Sequence, residues 1–362
     1  MHGSRSICRI EPPEFSPCMK SPFGDPLMNR RSFLGAAAGM AGALMLPAAG
    51  AVQAAPGGKF TFLTPFTLSL AFAPVLYASA SGKFKAQSLD LRVEVGRGAA
   101  QVVQLAAAGQ VNAGRTGAAN YISARAQGNS DVVAFGTIAQ ISPFVVVSAE
   151  RAPIADAREL AGKIVGLASF GGSMEATLNL MLAHAGVDPK SVRRERVADG
   201  PASFALIEAG RLHAFFGNTS TVSRLRAQKL AISVMHADDG VPGQVYVARE
   251  SELAANRDAY VAFTRGVVQA VRELATMDDT ALLQAIALMG DAFDIPGIDK
   301  TDIALQDLRG NRELWLSHGS EQAVRNDPKQ WQEGSKLLLD AGLMRATDRK
   351  LYTNDIWESA VA

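Results

Sequence analysis

Cysteine is almost missing from this chain: Cys8 and Cys18 are the two among 362 residues, and both lie near the N-terminus. Everything downstream lacks a thiol for a disulfide, a thiolate metal site or a cysteine nucleophile. Histidine is scarce as well. His2, His184, His213, His236 and His318 fall into no metal-ligand spacing. There is no Gly-x-Ser-x-Gly elbow, and no Gly-Lys-Ser/Thr sequence of a phosphate loop. Blocks of like charge are absent, with 36 basic residues against 35 acidic ones, so nothing marks a nucleic-acid partner. These gaps exclude the common hydrolytic and metal-dependent classes. They leave a chain with no catalytic residues, no metal ligands and no cofactor in view.

What the chain does carry begins at Asn29-Arg30-Arg31-Ser32-Phe33-Leu34. A mildly apolar segment follows, Gly35–Ala51, broken by Pro47, and then Val52-Gln53-Ala54-Ala55-Pro56 with small residues suited to signal-peptidase cleavage. A paired-arginine leader of this kind belongs to twin-arginine export, which moves a protein already folded. A spanning helix wants about 20 strongly apolar residues, which this Gly-rich segment does not supply. Residues 28–55 therefore read as a cleaved twin-arginine signal peptide. Residues 1–27 read as a non-native extension, with translation starting at Met28. Neither cysteine sits at the cleavage point, so no lipid anchor is indicated. A soluble exported protein without a tether points to the periplasm.

Past Pro56, short apolar runs alternate with Ala-rich helical patterns. Phe60–Leu63, Leu91–Val95, Val132–Phe135, Phe144–Val147, Ile164–Ala168 and His213–Phe216 read as strands. Pro74–Ala80, Ala99–Ala108, Ala118–Gln127, Ala155–Ala161, Met174–Ala185 and Ala202–Ala209 read as helices. Strands separated by helices argue for parallel-rich α/β sheets. A repeat runs through them. Leu105-Ala106-Ala107-Ala108-Gly109-Gln110-Val111-Asn112-Ala113 has a counterpart in Leu206-Ile207-Glu208-Ala209-Gly210-Arg211-Leu212-His213-Ala214. In each copy a helix ends at Ala-Gly, which suits a left-handed cap, and a strand follows. Two similar α/β halves imply two lobes and a cleft. Ligands in such folds sit beyond the carboxyl ends of strands, near helix N-termini.

Four strand-to-helix turns are candidates. Thr64 to Thr67 offers hydroxyls and the face of Phe66. Gly114-Arg115-Thr116-Gly117 puts an arginine where its fork can grip a carboxylate, sulfonate or nitrate. Ser169-Phe170-Gly171-Gly172-Ser173 opens a helix with two glycines and two hydroxyls, so backbone amides and helix dipole can meet an anion, although Glu175 offsets part of that field. Gly217-Asn218-Thr219-Ser220 supplies neutral donors and acceptors. Each also has an ordinary reading, as a Pro turn, a surface arginine or a simple N-cap. The candidate ligand-binding residues are Thr64, Phe66, Arg115, Thr116, Ser169, Gly171, Gly172, Ser173, Asn218 and Thr219.

Several segments, taken in order, carry a resemblance. They are Gly82-Lys83-Phe84-Lys85 with Leu89-Asp90-Leu91, Gly98-Ala99-Ala100 with Leu105–Val111, and Glu159-Leu160-Ala161-Gly162-Lys163-Ile164-Val165-Gly166. Gly200-Pro201-Ala202 with Ala209–Ala214, and Tyr352-Thr353-Asn354-Asp355-Ile356-Trp357, complete the set. Together they resemble the nitrate/sulfonate/taurine-type solute-binding proteins of ABC importers, a broad group that includes binders of thiamine-pyrimidine precursors. The resemblance implies a type II periplasmic-binding-protein fold, with lobe one formed by residues 56–145 and 244–362 and lobe two by 146–243. It implies no enzymatic activity, capture of a small ligand by hinge closure, an ABC permease as partner and a monomer. Asn218-Thr219 is bland where members that bind small anions often place more hydrogen-bonding or aromatic residues. The ligand thus reads as a small organic anion, with a neutral heteroaromatic held by Phe66, Tyr121 or Phe144 as the alternative. A related-fold enzyme of cofactor biosynthesis and a sensory module are further alternatives.

Overall fold

The computed structural model describes residues 59–128, 131–168, 170–237 and 240–362. The proposed leader, both cysteines and Ser169 lie outside the described residues. Two five-stranded sheets organise the rest. The first contains β1 (Lys59–Thr64), β2 (Asp90–Val95), β3 (Ala113–Gly117), β4 (Val132–Ala139) and β10 (Gln244–Arg249), in the order β2-β1-β3-β10-β4. The second contains β5 (Phe144–Ala149), β6 (Ile164–Leu167), β7 (Arg193–Arg196), β8 (Ala214–Asn218) and β9 (Ile232–His236), in the order β7-β6-β8-β5-β9. In both sheets one strand, β10 or β5, runs antiparallel to its two neighbours and the other pairings are parallel. The chain passes from the first sheet to the second between Ala139 and Phe144, and returns between His236 and Gln244.

Helices cover both sheets: α1 (Ala73–Ala80), α2 (Ala99–Ala107), α3 (Ala118–Ala126), α4 (Ser173–His184), α5 (Pro201–Glu208) and α6 (Thr219–Ala227). After the return come α7 (Glu250–Ala255), α8 (Arg257–Thr276), α9 (Asp279–Ala292), α10 (Thr301–Trp315), α11 (Pro328–Asp340) and α12 (Asp355–Val361). The long α8 shows why these elements pack as they do. Tyr260, Phe263, Val267, Val271 and Leu274 recur at three- and four-residue spacing and are all buried, so one apolar stripe faces the first sheet. There they meet Phe60, Phe62, Phe135 and Tyr246. Each fully buried side chain of this size stabilises the fold by roughly 1.5–3 kcal/mol. The opposite face of that sheet, with Leu63, Val245 and Val247, packs on α2, α3 and α11. The second sheet buries Val146, Val165 and Leu167 beside Leu178 and Leu182 of α4 on one face. On its other face Val145, Val147 and Phe215 meet Phe204 and Ile207 of α5 and Leu225 of α6.

The two Ala-Gly helix ends behave as the repeat predicts, since Gly109 and Gly210 take φ of 67° and 70°, the left-handed region that favours glycine. Two local expectations change, and one strand appears where none was expected. Ala155–Ala161 holds only a 3₁₀ turn at Ala157–Leu160, capped by Asp156, because Pro153 precedes it and Gly162 turns left-handed after it. The strand that follows the first Ala-Gly helix end starts only at Ala113, with Asn112 before it bonded through its side chain to the Thr61 amide. The edge strand β7 reads Arg-Arg-Glu-Arg and pairs only with β6. Edges tolerate charge, so no apolar run announces it. Among the described residues no helix is long and apolar enough to cross a membrane.

Candidate ligand cleft

A cleft of about 470 Å³ lies between the two sheets. The carboxyl ends of the strands open onto it, as the parallel pairing requires. The first half contributes Phe66, Gly98, Arg115, Gly117, Gln244 and Asn311; the second contributes Phe144, Phe170, Gly172, Ser173, Asp199 and Asn218.

Arg115 is the electrostatic centre. It stands on β3, only 4% exposed. Its Nη1 donates to the Ala71 carbonyl, its Nε reaches Gln244 Oε1 at 3.4 Å, and its guanidinium lies 5.0 Å from the centre of the Phe72 ring. Among the described residues no carboxylate pairs with it. Burial pulls its pKa down to about 10, partly offset by the nearby Tyr246, so it stays charged at neutral pH. A buried cation without a counter-charge is costly unless something else supplies one.

Backbone geometry adds to the positive field. α2, α3 and α4 begin at Gly98, Gly117 and Gly172, each with no side chain capping the first turn, and all three glycines line the cleft. The positive helix ends favour an anion, although at α3 the Ala118 amide already donates to the Gly243 carbonyl at 3.1 Å. The fourth helix, α6, is different. Asn218 and Thr221 form a reciprocal capping box, so its N-terminal donors are partly used. Asp199 accepts from Asn218 Nδ2 at 3.1 Å and from Thr221 Oγ1. Burial raises the Asp199 pKa, against those bonds and Arg224. The two halves come close together here. A Cβ on Gly117 would lie 2.5 Å from Ser173 Oγ, so only glycine lets the starts of α3 and α4 approach.

The apolar surface is equally specific. Phe66 and Phe170, from equivalent turns after β1 and β6, are 52% and 45% exposed, the only large exposed aromatics among the described residues. Phe66 leans on Phe72 at 5.5 Å, and Arg196 sits over Phe170.

Of the residues expected from sequence, Phe66, Arg115, Gly171, Gly172, Ser173, Asn218 and Thr219 come together on the cleft wall. Thr64 and Thr116 do not line it and are fully buried. The Thr64 hydroxyl donates to the Phe66 carbonyl at 2.8 Å and so shapes the turn from beneath. The Gly171 amide is not free for a ligand either, because Glu175 Oε2 accepts it at 2.7 Å. Tyr121, named for the aromatic alternative, is in the core, its hydroxyl 2.6 Å from the Leu351 carbonyl. Sequence reasoning missed Asp199, Gln244 and Asn311. The repeat contained a signal for the first, since Asp199-Gly200-Pro201 opens α5 as Arg97-Gly98-Ala99 opens α2. Nothing in the pattern of α10 singles out Asn311.

A family model described as "NMT1/THI5 like" matches residues 69–281, and the chain belongs to that family. No curated protein sequence matches it significantly. Among solved structures, it is similar to the alkanesulfonate-binding protein SsuA from Xanthomonas axonopodis pv. citri bound to MOPS. That pair shares 15% identity over 80% of this chain and 94% of that one, with a TM-score of 0.58. It is also similar to the periplasmic nitrate-binding protein NrtA from Synechocystis PCC 6803, at 13% identity over 84% and 88% of the two chains and a TM-score of 0.60. The desulfurization enzyme DSZB shares 11% identity over 84% and 99%, with a TM-score of 0.52. The fold is the two-lobed periplasmic-binding-protein fold, with mixed sheets flanked by helices, and it is shared by binding proteins and by an enzyme.

Proposed function

We propose that this chain is the substrate-binding component of an ABC importer, a periplasmic monomer that captures a small organic anion, sulfonate- or carboxylate-like, and delivers it to a membrane permease. Lobe one is residues 56–143 with 244–362 and lobe two is 144–243, the expected boundary at 145 moving because β5 begins at Phe144, and the lobes close over the ligand by hinge motion about the two crossings. The observation that carries the reading is Arg115, a buried cation lining the cleft without a carboxylate partner among the described residues. The anionic group binds there and at the Gly172 and Ser173 end of α4, with Phe66 and Phe170 against the apolar body. A cleft of this volume and lining suits an organic ion better than an inorganic one. No chemistry is assigned, and the ligand leaves unchanged, as mass spectrometry of material released from the purified protein would show.

The test is thermal unfolding and titration calorimetry against nitrate, taurine, alkyl and aromatic sulfonates, carboxylates and pyrimidines. An anion should raise the unfolding midpoint, and Arg115→Ala should weaken its binding by roughly 2–5 kcal/mol, the cost of stranding a buried charge partner. Unchanged affinity in the variant would remove Arg115 from the site. The two exposed phenylalanines favour one other reading, a planar neutral heteroaromatic held between them. In that case binding would ignore both salt and the Arg115 substitution, and fall on Phe66→Ala. Twin-arginine export and the periplasmic location rest on the leader motif, and fractionation of cells expressing the full chain checks both.

A further inference from the structure

Asn311 sits on α10, fully buried, and lines the ligand cleft. Its amide nitrogen faces Asp307, donating to that residue's backbone carbonyl and to its Oδ1, both at 2.9 Å. Both of those atoms are acceptors. The amide is therefore locked in one orientation, since turning it over would set oxygen against oxygen. Asp307 is held in its turn by Ser220 of α6, whose hydroxyl donates to the same Oδ1 at 2.6 Å. The consequence falls on the other end of the amide, where Asn311 Oδ1 is buried with no hydrogen-bond partner among the described residues. A buried acceptor left bare costs about 1–3 kcal/mol, and native proteins rarely keep one for nothing.

We infer that Asn311 Oδ1 is a specificity element of the cleft, selecting an anion that also carries a hydrogen-bond donor, a hydroxyl or an amino group, at a distance from its charged head. The inference rests on the anion-binding reading and narrows it. Arg115, all donor, takes the acceptor-only head of the ligand, and Asn311, presenting only its acceptor, takes an N–H or O–H from the body. Asp307 is a positioning residue that dictates which end of the amide the ligand meets. A plain alkyl or aryl anion fits the same cleft but leaves Oδ1 unpaired. Discrimination of this kind is strong, because the penalty falls on the site whenever the donor is missing.

The experiment compares matched probes on the purified full-length chain by calorimetry. The sets are ethanesulfonate with its 2-hydroxy and 2-amino derivatives, and benzenesulfonate and benzoate with their 4-hydroxy, 4-amino and 4-methoxy derivatives. In at least one set the donor-bearing member should bind about tenfold tighter or more than its parent, the equivalent of one satisfied buried group. The methoxy compound, which has bulk and an acceptor but no hydrogen to give, should bind no better than the parent. That comparison needs no variant. Asn311→Leu should then erase the preference, so that the donor-bearing member binds no tighter than its parent. Equal affinities throughout each set, or a preference that survives Asn311→Leu, would overturn the inference while anion binding lost on Arg115→Ala still stood. Failure of every anion to bind would take down the anion reading and this inference with it.

Discussion

The two sheets repeat one strand order, with the antiparallel strand in the same place in each, yet they are built for different work. On β3 of the first half the position two residues before the helix cap is Arg115. On β8 of the second it is Phe216, buried in the core. The cap itself is Gly117 in one and Asn218 in the other, the first bare and the second tied into a capping box. The supporting cores differ as well. Around the first sheet Phe263 meets the rings of Phe60, Phe62, Phe84, Phe135 and Tyr246 at 5.2–6.0 Å. Around the second, no ring pair forms among the described residues. The C-terminal helices α8, α9 and α10 account for this, since their buried apolar residues join the core of the first sheet. The buried charge is thus carried by the more heavily braced half. Duplicated topology sets where a site can be, and side chains at equivalent positions give the two halves of the cleft different chemistry.

The contrast can be broken at several points. The largest effect is expected at the brace. Phe263→Ala removes the hub of the aromatic cluster and should lower global stability by about 3–5 kcal/mol in denaturant titrations. A loss below about 1 kcal/mol would mean the first half is not the firmer one.

Next comes the joint between halves. Burial pushes the Asp307 pKa up to about 6, against hydrogen bonds from Ser220 and Asn311 and the charge of Arg224. In the unfolded chain an aspartate titrates near about 4. Between those values the native state holds the proton more tightly than the unfolded one, so Asp307's contribution is full below about pH 4 and is lost as pH rises through about 6. Asp307→Asn removes this dependence. Its stability relative to the parent should rise by about 2 kcal/mol from pH 4 to pH 7. A difference that is flat across the window would show that Asp307 is not buried between α6 and α10.

Gly117→Ala probes closure. Its φ of −70° suits alanine, but the new methyl meets Ser173 Oγ, so the unfolding midpoint should hold while ligand affinity falls by about 1–3 kcal/mol, a typical overpacking cost. Affinity equal to the parent's would show that the approach of α3 and α4 is not what limits binding. The smallest effect belongs to the capped helix. Asn218→Ala should destabilise the protein by about 1 kcal/mol, the usual value of an N-cap. Because α3 has no side-chain cap, Gly117→Ala shows no such loss, and equal losses at both positions would erase the distinction between the two ends.

Much of this was legible before any coordinates. Apolar runs such as Phe60–Leu63 and Phe144–Val147 announce buried strands because both faces of a covered sheet must be apolar. Ala-Gly at 108–109 and 209–210 announces helix ends because glycine alone enters the left-handed region freely. These are local rules, so the α/β class, the internal repeat, and turns holding seven of the cleft-lining residues follow from neighbours in the chain. The edge strand β7 escaped because pairing on one side asks little of its side chains.

The sequence by itself determined the class of fold, the duplication and most of the turns that line the cleft, since those depend on periodicity and backbone freedom over a few residues. Only the tertiary structure decided that Arg115 is buried without a counter-ion while Thr64 and Thr116 turn inward beneath the wall. It alone brought Asn311 of α10 and Ser220 of α6 onto one carboxylate. Burial and pairing of a charge are properties of everything within a few ångströms, and those neighbours come from parts of the chain nearly a hundred residues apart, as the Ser220–Asp307 separation of 87 residues shows.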